Sequence, residues 1–186
     1  IFKNDIPPVF KKHLNKEKFK RNYQNTRNAL LVLPRYDGNQ LRSIVEIIDL
    51  NSFETIHTYK HDIDGMNKKV TNTLEHPRLK KDKNELRFLY QHPLILNDGS
   101  LISHYNKSPL FKIDFCSNLK WINDEERFHH SQMLDVDGNI WVPSTLFPYS
   151  KLIRTNFGND TSSFGFEDDS IAKVSTDGDI LFQKSV

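Results

Sequence analysis

The chain has 186 residues, of which 37% are hydrophobic and 27% charged, and this size fits one domain with a single core. Its formal charge of +2 comes from 26 basic and 24 acidic residues, which argues against a nucleic-acid partner. The single cysteine, Cys116, excludes an internal disulfide and a cysteine-based zinc site, and we expect it to be a buried small apolar residue.

Residues 1–27 form a polar, basic N-terminal segment. A Pro-Pro pair is followed by a few apolar residues among lysines, a pattern that favours at most one short amphipathic helix. No apolar run approaches the length of a membrane-spanning helix, and no signal-peptide pattern opens the chain.

Three short strands are predicted after this segment. Apolar and β-branched residues dominate 29–33, 43–50 and 54–59, and the last of these alternates between apolar and polar positions. Asp37-Gly38-Asn39 has the composition of a turn between the first two strands. Together these segments predict an antiparallel meander.

A long polar connection across the surface is expected at residues 61–86, which are rich in Asp, Asn, Lys and Pro and lack a sustained period. Short strands are predicted to resume after it. The segments with strand-like patterns are 87–90, 92–96, 100–103, 109–114 and 119–122.

The clearest pattern in the chain is the segment 128–143. It joins the only adjacent histidines, His129-His130, to an Asp137-Gly138 corner followed by Ile-Trp-Val. Two antiparallel strands with a tight hairpin are predicted, because Gly accepts the positive φ that such turns demand.

This hairpin repeats an earlier one. His92 and His130 each precede an apolar run, an Asp-Gly corner and a further strand, and the pattern of 110–114 recurs at 45–49 and 171–175. A recurring four-strand unit of this kind is typical of the blades of a β-propeller.

We therefore predict an all-β chain, a β-propeller fragment of about three four-stranded antiparallel blades that forms half of a six-bladed ring. The predicted blades are 28–60, 87–123 and 128–184. Three blades cannot close a ring, and exposed blade faces favour association. We expect either a longer natural protein or a homodimer that completes the ring.

The last blade carries a polar insertion, 144–169, whose acids Glu167-Asp168-Asp169 are expected to be a solvated charge run.

Several of these segments together resemble the arylsulfotransferase-like β-propeller family of bacteria. The segments that carry the resemblance are 45–50, 92–93, 98–101, 108–114, 128–131 and 137–141. The resemblance covers roughly residues 29–186. It implies a six-bladed propeller, located in the periplasm or outside the cell, which transfers a sulfuryl group from a phenolic sulfate ester to a phenol through a histidine-bound intermediate. The implied ligand is a small aromatic sulfate or phenol, and no cofactor or metal is expected.

By motif position, the resemblance places His92 and His130 on the innermost strands around a central channel as candidate catalytic residues, with His129 beside them. Adjacent residues on a strand face opposite sides, so we expect His130 rather than His129 to face the channel. Arg127 and Arg87 are candidate substrate-binding residues. A neutral imidazole is a suitable nucleophile, and basic side chains stabilise negative charge on the transferred group.

Other interpretations stay open. The family's catalytic residues are distributed over several blades, so these 186 residues alone are expected to be inactive. The arginine that follows one family histidine in the next strand has no counterpart after His130, where Trp141-Val142-Pro143 stands. The histidines would then have a structural role, bonding neighbouring blades, or the chain would be a noncatalytic propeller module that binds a protein or glycan partner.

Overall fold

The computed structural model describes residues 25–74, 76, 79, 83–146, 149–150 and 167–186. The first strands are β1 (Leu30–Asp37), β2 (Arg42–Asp49) and β3 (Thr55–Tyr59), which form an antiparallel sheet in that order and are followed by the short helix α1 (Ile63–Asn67). The remaining strands are β4 (Gln91–Ile95), β5 (Leu101–His104), β6 (Ser108–Ile113), β7 (Leu119–Phe128), β8 (Met133–Leu134), β9 (Ile140–Thr145), β10 (Asp169–Val174) and β11 (Ile180–Ser185).

These later strands form a second antiparallel sheet in the order β11-β10-β9-β7-β6-β5-β4, with β8 paired to β9. The strands fall into three consecutive units, β1–β3, β4–β7 and β8–β11. Among the described residues, the second and third units are joined by strand pairing only where Arg127 and Phe128 pair with Thr145 and Ser144. Within the described residues neither sheet closes on itself. The prediction of an all-β chain of antiparallel strands is confirmed. The predicted N-terminal helix and most of the predicted insertion lie outside the described residues.

The predicted Asp-Gly corners are also confirmed. In each, two backbone hydrogen bonds close the turn; at the first, Leu96 N donates to Ser100 O over 2.8 Å and Gly99 N donates to Leu96 O over 2.9 Å. The same pair of bonds recurs at 135–139 and 175–179, and the glycine has a positive φ in all three. This is a type I turn followed by a residue in the left-handed region, which glycine occupies without strain.

The core consists of two apolar layers between consecutive units. Val45 and Ile47 of β2 share one buried cluster with Phe111 and Ile113 of β6. Leu110 of β6 belongs to the other cluster, which includes Val142, Ala172 and Val174 from the third unit. Because neighbouring residues on a strand face opposite sides, β6 packs against the first unit on one face and against the third unit on the other.

An aromatic contact repeats between the units. His57 lies three residues after the turn at 49–54, which is the last corner of the first unit. Its ring stacks on Phe115 with 3.7 Å between centroids. The equivalent residue of the second unit, Trp121, donates from Nε1 to the carbonyl oxygen of Thr176 over 2.9 Å. Both partners lie in the last corner of the following unit. The equivalent residue of the third unit, Phe182, is 45% exposed.

Four local predictions are wrong. Residues 61–86 do not merely cross the surface, because they contain α1 and bury Ile63 and Met66 in the first apolar cluster. Residues 87–90 form a turn and irregular backbone rather than a strand, although Phe88 and Tyr90 are buried. Cys116 is exposed, since it lies in a corner between two strands. The segment before the Asp137-Gly138 corner is a strand only at Met133–Leu134, and Phe128 ends β7 instead.

Candidate functional site

The candidate site is a cleft at the strand ends opposite the Asp-Gly corners, where the second and third units meet. Strand pairing brings the start of β4 beside the end of β5, and the start of β10 beside the end of β9. The cleft has a volume of about 400 Å³. It is lined by Gln91, His92, Asn106, Lys107, His129, His130, Glu167 and Asp169.

The structure therefore brings all three histidines singled out from the sequence to one cleft. His92 and His130 share an unusual backbone conformation, with φ of 40° and 62°. Non-glycine residues rarely adopt this left-handed region, and such strain concentrates at functional sites. The sequence correspondence between the two histidines is thus matched by their backbone geometry.

His129 and His130 do not lie on a strand, so the expectation that they face opposite sides is wrong. His129 is buried and His130 is exposed, yet both border the cleft. Their Nδ1 atoms face each other in hydrogen-bond contact. On its other side, Nε2 of His129 lies 3.4 Å from Oδ1 of Asp169. Nε2 of His129 makes no hydrogen bond within the described part of the chain, so Asp169 acts on it through its charge, and the three side chains form a line from a carboxylate to the exposed imidazole.

Burial lowers the pKa of His129, and the neighbouring His130 and Lys107 add to the shift, whereas Asp169 and a hydrogen bond with the Ser144 backbone oppose it. His129 is therefore held neutral near physiological pH. A neutral ring has one donor and one acceptor nitrogen, so it can accept from His130 only if its own proton faces Asp169.

Residues next to His130 tie the two histidine segments together. Gln132 is buried, and its Nε2 donates to the carbonyl oxygens of His92 and Ile102 over 3.0 Å and 2.9 Å. Ser131 Oγ lies 3.4 Å from Nε2 of His92. These contacts connect β4 and β5 to the loop before β8 and fix the position of His92 relative to His130.

A charged cluster lies beside the cleft, and we name it the cationic wall. Two of its members, Lys107 and Glu167, line the cleft, and the other two are Arg127 and Lys83. Lys107 Nζ lies 2.6 Å from Oε2 of Glu167 and Arg127 lies 3.9 Å from Oε1. Lys83 Nζ donates to the Lys107 carbonyl. Neither candidate arginine is among the lining residues: Arg127 is connected to the cleft through Glu167, and Arg87 belongs to the turn before β4.

The predicted solvated run of acids is wrong in two of its three members. Glu167 is paired with Lys107. Asp168 is buried, where it accepts hydrogen bonds from Ser185 Oγ and from the backbone nitrogen of Ser150, both over 2.6 Å. Only Asp169 is largely exposed, with 61% of its side chain accessible, and it belongs to the histidine chain.

Sequence reasoning missed His104. It is fully buried at the end of β5, opposite Gln91, and its Nδ1 contacts the carbonyl oxygen of Tyr105 over 3.1 Å. Burial lowers its pKa to about 4, and the nearby His129 and His92 contribute to the shift. The sequence did hold a signal for it. His104 follows the predicted strand 100–103, which starts at the Asp98-Gly99 corner, so it lies at the end of the sheet opposite that corner, as His92 does.

Among the residues that the structure describes, no three His, Cys, Asp or Glu side chains are arranged to hold a metal ion. In the same part of the chain, no helix combines the length and the apolar character needed to cross a membrane.

Comparison with known proteins gives no family assignment. No protein-family model matches the chain, and no curated protein is significantly similar to it. The geometry of the cleft and the motif resemblance therefore carry the functional argument.

Proposed function

We propose that this protein is an arylsulfotransferase-like enzyme, which transfers a sulfuryl group from a phenolic sulfate ester to a phenol, with His130 as the nucleophile. The observation that carries the proposal is the chain from Asp169 through His129 to His130. It supplies what an imidazole nucleophile needs, a fixed tautomer and a neighbouring group that stabilises positive charge.

The tautomers follow from the contacts. Asp169 favours a proton on Nε2 of His129, so Nδ1 of His129 accepts from Nδ1 of His130. Nε2 of His130 then carries a lone pair, and it has no hydrogen-bond partner among the described residues. The long contact between Asp169 and His129 is of the kind that tightens when substrate binds.

The lone pair of His130 Nε2 attacks sulfur, so that an N–S bond forms and the S–O bond to the phenol breaks. The departing phenolate takes a proton, for which His92 is the proposed donor across the cleft. The imidazolium that forms on His130 is stabilised through His129 by the negative charge of Asp169. A phenol acceptor then gives its proton to His92, which the first step left neutral, and attacks sulfur; the N–S bond breaks, and both histidines return to their starting states.

The finer fold proposal is that the three units are successive blades of a β-propeller. Support comes from the repeated stacking of units and from the repeated contact of His57 and Trp121 with the next unit's last corner. Phe182 occupies the same position in the third unit and is exposed. We propose that a further blade covers it when the ring is complete, whether that blade comes from a longer chain or from a second copy.

The test uses the complete natural protein, incubated with 4-nitrophenyl sulfate and a phenol acceptor. We expect release of nitrophenolate, and mass spectrometry of rapidly quenched protein should find one SO₃ group on the peptide that contains His130. His130→Asn should abolish both signals, and Asp169→Asn should lower the rate about 100-fold or more, since it removes the group that sets the tautomer.

His57→Asn is the matched control, because His57 is stacked at the opposite end of the strands. It should keep the wild-type rate. If wild-type protein binds the aryl sulfate but His130 is never sulfated, the catalytic proposal fails and the chain is a binding module.

A further inference from the structure

The cationic wall beside the histidines already holds an anion, the carboxylate of Glu167. Lys107 Nζ contacts both of its oxygens, over 2.6 Å and 2.7 Å, and Arg127 approaches one of them. A carboxylate bridged by two cations is the arrangement that proteins use for sulfate and phosphate groups. Lys107 and Glu167 line the same cleft as His92 and His130.

From this geometry we infer that Lys107 and Arg127 form the seat of the substrate's sulfate group, and that Glu167 is an internal competitor which the sulfate displaces. The inference rests on the proposed function, since it assigns a role within the same cleft. It makes Glu167 a determinant of substrate affinity rather than a catalytic residue.

The backbone fixes the position of the seat. Lys107 lies in the corner between β5 and β6 with φ of 54°, and Lys83 donates to its carbonyl oxygen. Arg127 lies near the end of β7 and is paired with Thr145 of β9. Two cations held by separate strands can bind a ligand with little reorganisation.

Local electrostatics agree with an excess of positive charge at this wall. Burial lowers the pKa of His76 to about 4, and Lys83 and Arg127 contribute to lowering it further. Lys107 likewise lowers the pKa of His129. These basic side chains therefore act on their neighbours as positive charges despite the pairing of Glu167 with Lys107.

Displacement of Glu167 is feasible because the ion pair is half exposed. The side chains of Lys107 and Glu167 retain 41% and 33% of their accessible surface, and ion pairs in such positions are weak. A sulfate ester presents three terminal oxygens to the same donors, one more than the carboxylate. Glu167 therefore occupies the two cations when no substrate is bound, and a sulfate group can displace it.

The test measures binding of inorganic sulfate by calorimetry at constant ionic strength, with chloride as the compensating anion. Glu167→Gln should raise sulfate affinity about tenfold, because it removes the competitor's charge. Glu125→Gln, an exposed acid on β7, is the matched control and should leave the affinity unchanged. Equal effects of the two variants would overturn the inference.

Lys107→Met should lower sulfate affinity tenfold or more, whereas Lys120→Met on exposed β7 surface should not. If Lys107→Met does not fold, the difference in sulfate affinity between Glu167→Gln and Glu125→Gln still tests the inference. Phosphate is titrated in parallel, and tighter binding of phosphate than of sulfate would overturn the sulfate assignment.

The outcomes separate this inference from the proposed function. A higher sulfate affinity in Glu167→Gln without sulfation of His130 would establish the anion seat and reject sulfuryl transfer. Sulfation of His130 with an unchanged sulfate affinity in Glu167→Gln would support sulfuryl transfer and reject the anion seat.

Discussion

The two ends of the strands in the second and third units are built by different rules. At the corner end, glycines with positive φ close three of the four turns and Ser117 closes the fourth with φ of 68°, and Trp121 packs against the next unit. At the cleft end, histidines take the positive φ, and imidazoles, cations and acids meet around an open volume. The corner end follows what local sequence favours in three of its four turns, whereas the cleft end departs from it.

The difference indicates where stability and function reside. Glycine adopts the left-handed region freely, but a histidine there is strained and needs support from its surroundings. Gln132 provides that support by donating to the carbonyl oxygen of His92. Because the cleft histidines depend on such support, the comparison predicts that the cleft end is the less stable end.

The largest expected effect is the response of the cleft end to acid. His104 has a pKa of about 4 in the folded protein, below the ordinary value of 6.5, because it is buried. The unfolded chain therefore binds protons first on acidification. The free energy of unfolding should be highest above pH 6.5 and fall by up to about 3 kcal/mol as the pH approaches 4. His76, with the same pKa of about 4, should add a similar loss.

Urea unfolding as a function of pH measures this slope. His104→Asn keeps a donor for the carbonyl oxygen of Tyr105 and should remove about 3 kcal/mol of the loss, and His76→Asn should remove a similar amount. His61 and His129, whose pKa values are also lowered, contribute the remainder. Carboxylates with lowered pKa values, such as Asp124, lose most of their stabilising contribution below about pH 4. A His104→Asn variant with the wild-type slope would show that the cleft end is not acid-sensitive.

The next effect tests the corner end. Trp121→Ala removes an indole that packs on Gly178 and donates to the Thr176 carbonyl, so the free energy of unfolding should fall by about 3 kcal/mol. Phe182→Ala at the equivalent position of the third unit is the matched control. Because Phe182 is 45% exposed, its loss should be about 1 kcal/mol or less.

Denaturant midpoints of the two variants decide this point. A loss at Phe182 as large as that at Trp121 would mean that Phe182 is already covered in solution. That result would contradict the structure of the described chain and would favour an association that buries the third unit.

Much of the corner end could be predicted from sequence, because its determinants are local. Asp-Gly dipeptides after apolar runs locate the turns, and the echo of 45–49 at 110–114 and 171–175 correctly places equivalent strands in the three units. The boundaries of β7 could not be predicted, since its extension to Phe128 depends on pairing with Ser144 far along the chain.

The cleft end was predictable only in part. His92 and His130 were found because each precedes a recognisable hairpin. The role of Asp169 as a partner of His129, and that of Glu167 as a partner of Lys107, could not be read locally. Both depend on β10 pairing with β9 across the segment between them, and a run of three acids gives no indication of which member is buried.

The smallest effect compares two glycines with the same backbone role. Gly138 and Gly178 have φ of 83° and 98°, so alanine is strained at either position. A methyl group at Gly138 meets nothing within 4 Å, whereas at Gly178 it would lie 2.8 Å from the Trp121 ring. Gly138→Ala should lower the free energy of unfolding by about 1 kcal/mol and Gly178→Ala by about 2 kcal/mol. In a Trp121→Ala background the cost of Gly178→Ala should fall to that of Gly138→Ala, because the clash is removed. An unchanged cost there would mean that backbone strain alone, and not packing between the units, makes glycine necessary at this corner.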